Sequence, residues 1–338
     1  MALWVFLVGL YYASAAQGLA IGYSWVVGAL RAVILSRMHG SCKRVAPPGG
    51  LRRCSVLAVM GATGALPLAG ARAQTPAPVD TVALVRRAVE LRLQEEKNHR
   101  PVRYVLRKVD GDHETTKEIV ETKDGDVARL VAINGQPLSA EQERVEMERL
   151  DVLAAHPELE ERRRRSEQRD AARIDRLVGM LPDAEVYTLL GMVPCGAGSG
   201  VVGQCYRLGF APNPGFAPPD MEAEVLQGFA GEVWIDKEQN RLVRLDARLV
   251  RDVNIGFGIL GRVNKGGTMA LDQAYESDAR EWQPTVLKIN LQGRALMVKA
   301  VDIRIDELAS GFAPVPEGTG YREGIAMLKR VGMLGAQR

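Results

Sequence analysis

Histidine is scarce in this chain: four in 338 residues, of which His99, His113 and His156 lie beyond position 73. Each stands beside charged or turn residues. No H-E-x-x-H, G-x-S-x-G or S-x-x-K occurs in the helix or strand context that its chemistry requires. A hydrolase assembled from dispersed carboxylates is the catalytic option that stays open. Cysteine is equally sparse, at four. Acidic residues are missing from the first 73 positions, which hold seven basic ones: Arg31, Arg37, Lys43, Arg44, Arg52, Arg53 and Arg72. Removing those seven from the formal net charge of +3 leaves −4 for the remainder. The overall positive sign therefore gives no argument for nucleic acid. An apolar fraction of 46% with 25% charged residues excludes a wholly disordered or collagen-like chain. The length supplies one large domain or two ordinary ones.

Residues 38–73 have the three parts of a secretory signal peptide. Lys43, Arg44, Arg52 and Arg53 form a basic region after Met38, and residues 54–70 are apolar but broken by Gly and Pro. Ala71-Arg72-Ala73 then presents small residues where a signal peptidase cuts, with Gln74 following. An uncleaved membrane anchor is the rival. Arg52-Arg53 lacks most of the twin-arginine pattern, and no Cys ends the apolar run to take a lipid anchor. Residues 1–30 carry no charge and include Trp4, Tyr11, Tyr12, Tyr23 and Trp25, so they could span a bilayer. Either translation begins at Met38 and residues 1–37 are an over-extended start, or they form a genuine helix followed by a cytoplasmic basic loop. The expected product is a periplasmic, monomeric protein of about 265 residues beginning near Gln74.

Export leaves two cysteines, Cys195 and Cys205. In an oxidising compartment a pair bracketing "GAGSGVVGQ" predicts a disulfide, with two free thiols as the alternative. Two thiols without neighbouring His provide too few ligands for a metal site. No cofactor is expected.

Along the exported part, residues 74–79 read as a linker. Asp80-Thr81 offers an N-cap before a helix over 82–98, where Val82, Val85, Val89 and Leu93 recur at helical spacing. Three short strands follow, separated by Asp110-Gly111, Asp124-Gly125 and Asn134-Gly135. Residues 139–181 read as a two-helix insertion split at His156-Pro157, with Ile174, Leu177, Val178 and Leu181 on one face. Beyond Glu185 the pattern is β. Val243, Leu245, Ala247 and Leu249 alternate with Arg244, Asp246 and Arg248, as a half-buried strand does. Strands are also read over 283–291 and 294–305, and residues 316–338 as a C-terminal tail. The fold class is α+β, mostly antiparallel, with about ten strands, an N-terminal helix and the insertion. The antiparallel pattern argues against a doubly wound α/β enzyme.

Two glycine patterns, Gly198-x-Gly200-x-x-Gly203 and Gly256-x-Gly258-x-x-Gly261, fit a dinucleotide fingerprint, but neither opens a helix, so hairpin loops are the reading. The basic run at 162–165 pairs with Glu158, Glu160 and Glu161 at i, i+4 and reads as a solvated helix face. Such a face could also touch lipid headgroups.

The order of helix, strands, helical insertion and long β meander behind an export signal resembles the LolA/LolB-like lipoprotein-carrier superfamily, the broad group that includes the periplasmic regulator RseB. "GEVWIDKEQNRLVRLDARL" resembles its paired strands, and "REWQPTVLKINLQGRALMVKAVDIRI", with Trp282 and Pro284, its terminal meander. The resemblance covers about residues 80–315. It implies a curved, half-open β-barrel with helices on its concave side. It also implies a hydrophobic cavity that receives lipid or lipoprotein acyl chains in transit between membranes, with a membrane-protein donor or acceptor. Trp234, Val243, Leu245, Met269, Leu271, Met297 and Val301 supply apolar bulk suited to such a cavity; alternatively they pack beneath the helices. The runner-up function is a sensory, protein-binding module of the same fold, and an exported hydrolase comes third.

Overall fold

Asp80 accepts a hydrogen bond from the Ala83 amide and caps the first helix, α1 (Thr81–Asn98), supplying one of the acceptors a helix start needs. A computed structural model describes residues 79–156, 158–255, 261–295 and 299–335. The signal-peptide reading, Ala73, Gln74, nearly all of the 74–79 linker and Met297 lie outside those residues. So does most of the second glycine pattern.

After α1 come β1 (Val102–Asp110), β2 (His113–Val120), β3 (Val127–Ile133) and the short β4 (Gln136–Pro137). Gly111, Asn134 and Gly135 have positive φ, the backbone that two-residue hairpins require. Ser139 and Gln142 form a capping box that opens α2 (Ala140–Ala155), and α3 (Glu158–Ala184) follows. Ile174, Leu177 and Val178 make the buried stripe of α3. The remaining strands are β5 (Glu185–Pro194), β6 (Gln204–Pro212), β7 (Phe229–Asp236), β8 (Leu242–Leu249), β9 (Val253–Ile255), β10 (Gly261–Val263), β11 (Thr268–Glu276), β12 (Glu281–Ala295) and β13 (Lys299–Pro314).

All thirteen strands of the described residues belong to one antiparallel sheet in the order β4-β3-β2-β1-β13-β12-β11-β8-β7-β6-β5, with β10 attached to β12 and β9 to β10. The last meander therefore occupies the middle, where β13 pairs with β1 and β11 with β8. The sheet is open, ending at β4 and β5. Its five register shifts are bulges of the kind that bend strands, and they curve it. One face is dry: Val233, Ile235, Leu245, Leu271, Leu287 and Ile289 meet Leu84, Val85 and Ala88 of α1 and Leu177 of α3. The other is wet, with Arg207–Glu232, Arg244–Asp272 and Lys288–Asp306 pairs across adjacent strands.

The α+β antiparallel class, the N-terminal helix and the two-helix insertion stand. Three details differ from the sequence reading. Thirteen strands replace about ten, because β4, β9 and β10 are two or three residues long and carry no periodic signal. The expected break near Gln292-Gly293 is absent. β12 continues to Ala295, which pairs with Lys299. Gly293 serves close approach instead: a Cβ there would lie 2.2 Å from the Arg262 carbonyl oxygen on β10. Finally, residues 316–338 are more than a tail. Tyr321, Ile325 and Leu328 of α4 (Tyr321–Gly335) pack with Val120, Val127 and Leu150 in a second core cluster.

Cys195 and Cys205 form a disulfide joining the end of β5 to the start of β6. The loop between them holds a single 3₁₀ turn, and Gly200 comes so close to the Tyr275 carbonyl that a Cβ there would lie 2.2 Å from its oxygen. No helix follows the Gly198–Gly203 pattern, so a pyrophosphate has no helix N-terminus there. Replacing both cysteines by serine is expected to lower stability by about 3 kcal/mol in urea denaturation, as loop closure by a bridge of this span implies. An unchanged midpoint would contradict it.

Candidate functional site

Alternation along β5 to β8 sends Tyr187, Phe210, Val233, Ile235 and Leu245 to the concave face, opposite Val85, Ala88 and Val89 of α1 and Val178 and Leu181 of α3. Between these two layers is an apolar pocket of about 80 Å³. At one end, Arg92 and Val178 are shared with a polar cleft of about 760 Å³ at the C-terminal end of α1. At the other, Glu185 and Tyr187 are shared with a surface groove of about 480 Å³ that also touches Val82, Asn213 and Phe216. A dry middle thus lies between two wet openings.

The cleft is rich in paired charge. His99 bridges two carboxylates, with Nδ1 3.0 Å from Glu281 Oε2 and Nε2 2.6 Å from Glu121 Oε2. Only the imidazolium donates to both; the neutral ring donates to one. Glu281 also accepts from the Arg100 amide, and Glu121 from that of Val102, so the end of α1 is tied to β1, β2 and β12. Nearby, Glu95 lies 2.7 Å from Arg241. Burial pushes the Glu95 carboxyl up and the Arg241 guanidinium down, while each partner favours the charged form of the other.

Glu185 is different. Only 4% exposed, it has no hydrogen-bond partner for Oε2 among the described residues. Burial alone pushes its carboxyl up to about 8, so it is mostly protonated at neutral pH. Tyr187 donates its hydroxyl to the Leu181 carbonyl at 2.9 Å, and burial raises that phenol too.

The seven residues offered as cavity lining separate. Leu245 lines the apolar pocket and Leu271 the polar cleft. Met269 is buried in the same core, and half-buried Val301 packs at its margin. Val243 belongs to a different cluster, against the disulfide and Trp282. Trp234 alternates away from Val233 and Ile235 onto the wet face, where the Arg244 guanidinium sits 5.2 Å from its ring centre, a cation–π contact. Met297 is outside the described residues. The Cys195, Cys205 and Asp236 side chains converge within 4.8 Å, but the disulfide leaves neither sulfur as a thiolate ligand. Glu185, His99, Glu121 and Glu281 were not foreseen. The His99 partners lie 22 and 182 residues away, beyond any local pattern, and Glu185 reads only as the first residue of a strand.

No family model matches the chain, nor does any curated protein. Among solved structures, a DUF1329 family protein from Desulfovibrio piger aligns over 74% of this chain and 100% of its own, with 11% identity and a TM-score of 0.27. MucB, solved in complex with MucA(peri), aligns over 70% of this chain and 100% of its own, with 10% identity and a TM-score of 0.20. Superpositions that loose carry no functional argument, so function rests on the geometry. No helix among the described residues is long and apolar enough to cross a membrane.

A proton held by Glu185 has a consequence for stability. The folded carboxyl keeps its proton up to about pH 8, whereas the unfolded one releases it near 4.5. The stabilisation is complete below pH 4.5 and is lost as pH rises toward 8, at no more than about 1.4 kcal/mol per pH unit. Glu185→Gln abolishes that loss, so its stability relative to the natural protein should climb between pH 5 and pH 9 in urea titrations. Parallel stability curves would contradict the assignment.

Proposed function

We propose that the domain is an exported binding protein rather than an enzyme, and that it holds the acyl chain of a lipid or lipoprotein between the α1/α3 layer and the sheet. It does so without a cofactor. One observation carries this reading: the apolar pocket shares lining residues with a charged cleft at one end and an open surface groove at the other, so a dry site for a chain adjoins places where a polar head can stay in water. Each methylene moved from water to such a surface contributes about 0.8 kcal/mol, so a dozen contribute about 10 kcal/mol, comparable with the cost of association. Transfer of such a ligand between membranes, and the periplasmic location, belong to the same proposal.

Size constrains how binding proceeds. Ligand pockets generally occupy about 300–1,000 Å³, and this one has about 80 Å³, so a chain enters only as the layers part. α1 is the layer suited to move. It buries three apolar side chains, Leu84, Val85 and Ala88, and its Arg86–Asp183 tie to α3 is solvent-exposed, where an ion pair adds little to stability. Filling the pocket tests the proposal. Ala88→Trp should weaken a fluorescent fatty-acyl probe at least tenfold, and Ala88→Leu by less, with the circular dichroism spectrum retained. Equal affinity in all three proteins would refute it.

A second reading, a protein-binding module, is favoured by the open end of the sheet. No strand pairs with the outer side of β5 among the described residues, although its Tyr187 carbonyl accepts the Thr81 hydroxyl at 3.2 Å. Val186, Leu189, Leu190 and Met192 are exposed along it, and residues 186–193 carry no charge. Protected edges usually bear charge or proline, whereas this one can accept an apolar extended segment as its next strand. Leu190→Lys should then remove peptide-strand binding in a titration and leave the acyl probe unaffected. Loss of the probe instead would count against a separate edge site.

A further inference from the structure

The groove beside the N-terminal end of α1 and the apolar pocket share two polar residues, Tyr187, whose hydroxyl is spent on Leu181, and Glu185. Glu185 lines both, its Oε2 is sealed from water, and nothing among the described residues hydrogen-bonds to that oxygen. Buried polar atoms are nearly always paired, so an unpartnered carboxyl oxygen at the boundary between a dry pocket and an opening needs a partner from elsewhere. We infer that Glu185 is the specificity-determining group of the pocket, donating a hydrogen bond to a neutral oxygen, an ester or amide carbonyl, at the head of a bound acyl chain. The head then emerges into the groove of Val82, Asn213 and Phe216, and the chain runs inward toward Arg92. This rests on the acyl-binding reading and assigns it an orientation and a head-group chemistry.

The chemistry follows from the surroundings. A protonated carboxylic acid presents one O–H donor together with acceptor capacity, and an apolar site that keeps the acid neutral makes it a dependable donor. The charged or titratable groups around the two cavities are few. Asp183 at the end of α3 pairs with Arg86, Tyr187 on the same strand is spent on Leu181, and Arg92 of α1 lies toward the cleft and is already engaged. Desolvation is the one cause that shifts Glu185, so no cation among the described residues compensates a charge there. An ionised carboxylate brought to this end would meet no balancing positive group and would lose its hydration. A bare hydrocarbon would leave Oε2 as unpaired as before. A neutral carbonyl does neither. Sites built to bond a polar group reject analogues lacking it, because their own buried atom is then left unsatisfied.

Displacement of one fluorescent acyl probe by methyl palmitate, palmitate and hexadecane tests this on the natural protein, Glu185→Gln and Glu185→Leu. The natural protein should prefer the ester to both others by about tenfold at pH 6.5. Glu185→Gln, whose amide still donates, should keep that preference. Glu185→Leu should lose the preference over hexadecane while still binding the bare chain. Raising the pH past about 8 should erode the preference in the natural protein and not in Glu185→Gln, since the ionised acid cannot donate. A preference that survives in Glu185→Leu, or tighter binding of palmitate than of its ester, overturns the role of Glu185 and leaves acyl binding intact. Failure of every chain to displace the probe from the natural protein, or failure of the probe to bind, overturns both.

Discussion

An open antiparallel sheet with one apolar face must have that face covered, and the rest of this molecule follows from how the covering is done. Val233, Ile235, Leu245, Leu271, Leu287 and Ile289 present a broad dry surface that no neighbouring strand can hide. Its cover comes from two helices of unequal grip. α3 is continuous through its last residue with β5 and buries Ile174, Leu177 and Val178. α1 buries Leu84, Val85 and Ala88, and is held besides by the exposed Arg86–Asp183 pair, the half-buried Glu95–Arg241 pair and the His99 bridge at its far end. The sheet itself is tied together at its centre by strands from opposite ends of the described chain, β1 and β13.

That division separates stability from function. The tightly paired strands and the second cluster, in which α4 closes over Val120, Val127 and Leu150, supply the rigid part. The polar groups beneath the cover are placed where they cost stability. Glu185 is kept neutral by burial, and Glu95 and Arg241 face each other under opposing pressure from desolvation. Replacing such groups with apolar ones of similar volume is often neutral or stabilising, so their presence favours a binding role over a structural one.

Much of the fold was legible in the sequence because it is written in local periodicity. Val243 to Leu249 alternates as a half-buried strand, Ile174 to Leu181 follows helical spacing, and the hairpins fall on glycine turns. The spacing of Cys195 and Cys205 anticipated their bridge. What escaped is what depends on distant partners. Gly293 looks like a turn until β10 is seen pressed against it. Trp234 and Val243 look like cavity walls, and one-residue alternation and a bulge between Trp234 and Ile235 put them elsewhere. α4 reads as a tail without the strands it covers. The candidate site was the least legible part, since Glu185 acquires its significance only from the pocket and groove that converge on it.

The central claim is that α1 is a cover that parts from a rigid sheet to admit a chain. Hydrogen exchange resolved along the sequence measures this directly, comparing α1 with the strands β7, β8 and β12 in the absence and presence of a long-chain acyl ester. The account predicts that α1 amides exchange much faster than those strands without ligand, and that the ester slows exchange chiefly in α1. Exchange in α1 as slow as in the central strands and indifferent to the ester would contradict it.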